Sequence, residues 1–244
     1  MFNYIMADMS RISKKKGFII TNLIYIGLFI LMIFIANNPS FTSTNYVSSV
    51  NIYLGFAPLF IGLSIYLSIY YDDFKSKAMQ VAIGYGISRN KIIIFKIIEA
   101  LILTFISVLV IGMITLVSPY LIKINLSQAE NYQIMKNIIT ETLKILGYII
   151  ITLPFIYSKQ NPINGTIIYV LFASKFMIVS ASIILSQKFI VNVFGNLNEY
   201  LLTNTLAILL DGSVKLSLII TLGVYFIVPI ILALILFKNK ELEF

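Results

Sequence analysis

Four charged residues stand inside stretches otherwise apolar enough to cross a membrane: Glu99, Glu141, Lys144 and Lys175. A charge at the middle of a bilayer costs at least about 2.5–3.5 kcal/mol, so each needs a partner or a wet cavity. Glu99 follows Lys96 by one helical turn, close to one interface, where the two can pair. Glu141 and Lys144 share that spacing, and a pair that snorkels toward the nearer surface accounts for both. Lys175, beside Ser174, lies too deep for that escape. It is expected to face a cavity, a protein interface or an acid, with Glu141 and Asp211 as the candidate acids. Covalent chemistry is nearly absent. The chain has no histidine and no cysteine, which removes imidazole bases, thiol nucleophiles, disulfides and the usual zinc ligands. Asp72 and Asp73 are adjacent, so on a helix they diverge by about 100° and make a poor acid–base pair. The run from Gly84 to Lys91 touches on glycine-rich phosphate loops but lacks their Gly-Lys-Ser/Thr ending. No catalytic, cofactor or metal-binding residue is expected.

The elements that must hold these charges are legible from composition. Of 244 residues, 59% are hydrophobic and only 11% charged, against about a quarter charged in a soluble domain. The formal net charge of +8 does not point to nucleic acid, because the cations cluster beside apolar runs, as membrane proteins arrange them to set orientation. Six runs reach the ~20 residues a spanning helix needs: 17–36, 51–71, 97–117, 137–157, 165–186 and 216–237. Ahead of them, Phe2, Ile5, Met6, Met9 and Ile12 follow helical spacing and lead to Arg11 and Lys14–Lys16, a helix for the headgroup layer. The first long run is too long for a signal peptide's apolar core, so it reads as an anchor. Leu121–Lys136 reads as a polar loop. Gln187–Lys215 holds two apolar pieces, Phe189–Phe194 and Tyr200–Leu210, too short to span and expected to be re-entrant or interfacial. The fold class is therefore an all-α membrane domain of six spans.

Between the second and third spans lies the longest hydrophilic insert, Asp72–Lys96. Phe74, Ala78, Val81 and Ala82 form an apolar helical stripe, while Asp73, Lys75, Ser76, Lys77 and Gln80 mostly face away. Gly84 and Gly86 end that helix, and Ser88 can cap the next. Arg89 and Lys91 stand in a first turn, where the helix dipole disfavours cations, so topology is the expected reason for them. With the N-terminus inside, inner segments hold twelve Lys and Arg, and outer ones hold Lys123, Lys136, Lys188 and Lys215. Lys144 and Lys175 lie within spans. That bias predicts both termini in the cytoplasm.

The order of an amphipathic basic N-terminal helix, two spans and a cytoplasmic helix preceded by acids carries a resemblance. So do Gly84, Ile87-Ser88-Arg89 and Lys96 leading into the third span, and the apolar external segment before the last. Together they resemble the permease subunit of type-two ATP-binding-cassette exporters, of the small Gram-positive kind that handles antimicrobial or toxin peptides. Asp72-Asp73 stands where that family usually has a glutamate, and Gly86-Ile87 where a proline usually precedes Ser-Arg. The resemblance implies a multi-pass protein of the bacterial cell membrane that binds no ATP itself. Asp73, Phe74, Lys77, Ala78, Val81 and Ala82 would then dock a separate ATPase, with ATP and Mg bound there. It implies a second copy or sister permease as partner and an amphipathic peptide as cargo, with lipid around the bundle. The residues alone leave open a lipid or small-drug exporter, or a non-transporting immunity or sensor protein.

Overall fold

A computed structural model of the chain describes residues 2–36, 38, 40–159 and 161–238; the tail beyond Lys238, including Lys240, lies outside the described residues. Among these the only regular secondary structure is helix. In order, α1 (Phe2–Ser13), α2 (Lys16–Ala36) and α3 (Ser43–Leu54) are followed by π-helical turns Pro58–Gly62 and Leu67–Tyr71 on either side of α4 (Leu63–Tyr66). Then come α5 (Asp72–Lys75), α6 (Ala78–Gly84), α7 (Arg89–Leu121), α8 (Gln128–Lys159), α9 (Pro162–Ala173) and α10 (Phe176–Leu185). The chain continues through α11 (Lys188–Phe194), a 3-10 turn (Leu197–Tyr200), α12 (Leu202–Leu210) and α13 (Leu216–Lys238). Five continuous stretches are long and apolar enough to cross a membrane: 16–36, 43–75, 89–121, 128–159 and 216–238. The predicted fifth span is two helices, α9 and α10, bent by 60° at Ser174-Lys175.

Helix α8 is the hub, touched by α3, α7, α9, α12 and α13. It and the second stretch are mostly buried, whereas α2 and α13 turn most of their apolar side chains outward. Such faces as Leu23, Phe34, Ile220 and Ile227 suit lipid tails, which do not penalise exposed hydrocarbon as water does. Cohesion inside comes from tyrosines whose hydroxyls satisfy backbone carbonyls. Tyr25 and Tyr53 stack at 4.3 Å, and each donates to the other's carbonyl, at 2.7 and 3.1 Å, riveting α2 to α3. Tyr169 donates to Pro58 O at 2.8 Å, where the π turn has disturbed the helical ladder. That hydroxyl comes within 1.9 Å of where a Cβ on Gly62 would stand, so only glycine admits it.

Two predicted boundaries move for a local reason. Helix α3 starts at Ser43, because Thr42 caps it by accepting from Asn45 N. Leu121–Lys136 is not wholly a loop. Ser127 and Glu130 form a reciprocal capping box, with Ser127 N donating to Glu130 at 2.8 Å and Glu130 N to Ser127 at 3.3 Å, and α8 begins there.

Candidate functional site

The predicted intramembrane pair Lys96–Glu99 belongs to a larger construction at the end of the bundle that carries α1. Lys96, on α7, is wholly buried, as are Glu99 and Asp73. Its ammonium is bonded to Asp8 of α1, contacts Asp73 at the end of the second stretch, and lies 3.0 Å from Glu99. Arg11 closes the ring, 2.5 Å from Asp8 and 2.7 Å from Asp73. Lys15 pairs with Asp72, and the Tyr4 ring lies 5.6 Å from the Lys96 ammonium. Three elements distant in sequence are thus tied by seven charges, four of them carboxylates. Burial pushes the Asp8 carboxyl up, but Lys96 and Arg11 outweigh it and hold it below the usual carboxylate range. A buried ion group of this kind contributes little net stability, yet losing one member strands the others. Its physical effect is to fix how α1, α5 and α7 meet.

The segment 72–84 differs from the single helix expected. Lys77 adopts a left-handed conformation, φ 56°, and divides it into α5 and α6. The break resets the phase of the stripe. Asp73 faces inward instead of away, Phe74 is half-buried with its ring 5.8 Å from Tyr157, and Ala82 is buried. Ala78 is half-buried and Lys77 exposed. Val81 is 55% exposed and Tyr85, unforeseen in the stripe, 86%. These two, one turn apart, make the free apolar face. Phe74 serves the protein's own packing.

Arg89 is likewise given a reason other than topology. It donates to the carbonyls of Phe237 and Lys238, at 2.9 and 3.1 Å, and lies 5.6 Å from the centre of the Phe237 ring. A cation at a helix C-terminus is favoured; here it comes from another helix. Phe237 packs at 4.8 Å on Tyr157, so Arg89, Phe237, Tyr157 and Phe74 are contiguous. Ser88 occupies the capping position before α7 without a side-chain cap bond.

Glu141 and Lys144 form the expected pair at 2.7 Å, both mostly buried. Asp211 pairs with Lys136 and Glu199 with Lys215. Both acids proposed for Lys175 are therefore engaged elsewhere, and Lys175 is exposed on this chain at the bend between α9 and α10, outside the subunit's own interior. No group of residues able to hold a metal occurs among the described residues. No protein-family model and no curated protein matches this chain.

The sequence pointed to residues 72–96 but missed Asp8 and Arg11 as their partners. No spacing rule relates residue 8 to residue 96; the one signal was the cost of leaving Lys96 and Asp73 unpaired.

Proposed function

We propose that this chain is the membrane-spanning subunit of an ATP-driven exporter, crossing the bacterial cell membrane six times with both termini in the cytoplasm. In this reading α9 and α10 together make one broken span. A separate ATPase supplies the energy, and a second copy or sister permease completes the pathway. The cargo is an amphipathic peptide that enters from the membrane. The observation that carries this reading is the segment α5–α6. It is short, hangs between two long apolar stretches and offers Lys77, Val81 and Tyr85 outward. It is also rigidly tied to α1 and α7 through Asp73 and Lys96. A rigid tie lets a force applied to the exposed side move the helices behind it, as a receptor for a power-supplying partner must.

The test is copurification with ATP-binding-cassette ATPases of the source organism, together with hydrolysis measured in the complex. Val81→Asp and Tyr85→Ala should each release the ATPase or uncouple its hydrolysis from transport, because apolar anchors dominate such interfaces. The permease itself should still insert and melt normally, since both positions are exposed. Undiminished copurification and coupling in both variants would reject docking at this face.

A further inference from the structure

Lys175 is the one mid-span charge that the other ion pairs leave over. Its ammonium has no ion pair and no hydrogen bond among the described residues, whereas Glu141, Lys144, Asp211 and Lys136 are all matched. Counting about 1.5 Å per residue from Pro162 puts it about 20 Å along a path of ~30 Å of hydrocarbon. An unmatched cation there is costly unless an anion or water meets it.

Its surroundings are not those of a packing residue. Lys175 takes a left-handed conformation, φ 64°, uncommon for a residue with a side chain, at the point where the predicted fifth span breaks by 60°. Its Nζ lies 3.3 Å from where a Cβ on Gly55 would stand. Gly55 is itself the point at which α3 ends, before the turn to Pro58. The bend and the change from α to π winding therefore meet at the ammonium, and the missing side chain of Gly55 leaves room for it. Around it the surface is apolar and open: Ile52 and Phe56 flank Gly55, Phe176 and Met177 follow Lys175, and all four are exposed. A single positive charge amid exposed hydrocarbon is the complement of an amphiphile with one anionic group.

We infer that Lys175, between Gly55 and the bend at Ser174, binds the anionic group of an amphipathic cargo, a carboxylate or comparable anion, while Ile52, Phe56, Phe176 and Met177 receive its apolar part. This rests on the exporter reading for its transport role but not for the binding itself. A peptide carrying a free C-terminal carboxylate inside an apolar stretch meets the description.

The chain in phosphatidylcholine nanodiscs, without any ATPase, is titrated with dansyl-undecanoate and with its uncharged amide. Wild type should bind the carboxylate roughly tenfold or more tightly than the amide, as a charge-assisted contact gives. Lys175→Asn, which suits the left-handed backbone, should abolish that preference while still binding the amide. Lys175→Arg should keep it. Equal binding of both probes by wild type, or a preference surviving Lys175→Asn, would overturn the inference. So would probe displacement by phosphatidylglycerol at membrane abundance, which would make a lipid headgroup the occupant, or a Lys175→Asn effect on self-association alone, which would make it a subunit contact. Failure of ATPase copurification with carboxylate preference intact would sink the exporter reading and leave this site standing.

Discussion

At the scale of single residues, Lys96 is the charge on which most depends. It meets Asp8, Asp73 and Glu99 from three elements, and nothing else in the cluster touches all three. Replacing it with an isosteric hydrocarbon would leave three acids gathered in a buried space. Lys96→Met should therefore cost about 3–5 kcal/mol, the range for breaking a buried ion pair from one side. The loss should show as a lower melting temperature by circular dichroism and as proteolytic release of α1. The double variant Lys96→Met, Glu99→Gln should recover part of it, because one stranded charge is removed with its partner. A Lys96→Met protein as stable as wild type would mean that water already satisfies the carboxylates. Lys175 obeys the same electrostatics with the opposite outcome: it has room, exposure and no acid among the described residues, which is why the inferred partner is an external anion.

Elements are joined here by side chains that satisfy another helix's backbone. Tyr25 and Tyr53 do so between α2 and α3, Tyr169 between α9 and the π turn at Pro58, and Arg89 between α7 and the end of α13. The last of these lies directly after α5–α6, so a displacement of that segment reaches α13 through one residue. Arg89→Gln removes the charged donor and the ring contact. Amide exchange in the last turn of α13 should then rise about tenfold to a hundredfold, the equivalent of a lost hydrogen bond to a charged group. Arg89→Lys should give an intermediate value, since an ammonium can replace the one nitrogen that makes both bonds but lacks the planar guanidinium that lies against the Phe237 ring. Unchanged protection in Arg89→Gln would assign the integrity of that helix end to Phe237 packing alone.

For the whole molecule, the distribution of charge and the breaks in the helices make one statement about orientation. The cations of α1, α5 and the start of α7 share one end with the buried cluster, while the short helices α11 and α12 belong to the other in the proposed topology. The natural absence of cysteine makes this directly measurable. A cysteine at Ser43 or Asn198 should react with an impermeant maleimide in intact cells, and one at Ser76 only after permeabilisation. The reverse pattern would invert the proposed topology and with it the site of ATPase docking.

Several features were decided by the sequence alone. Length and polarity of the runs determine which segments avoid water, because unpaired backbone in hydrocarbon is too costly for anything but helix. The pairs Lys96–Glu99 and Glu141–Lys144 were readable because one helical turn brings them together whatever the fold. The stripe through Phe74 and Val81 was read correctly as helical but wrongly as one face, since the left-handed turn at Lys77 has no glycine to announce it. The same is true of Lys175, whose chain break is written in neither proline nor glycine. What only the tertiary structure decided is which charges meet. Asp8 finds Lys96, Arg11 finds Asp73 and Arg89 finds the end of α13 because burial makes an unmatched charge or carbonyl expensive, and which partner relieves it depends on how the helices pack.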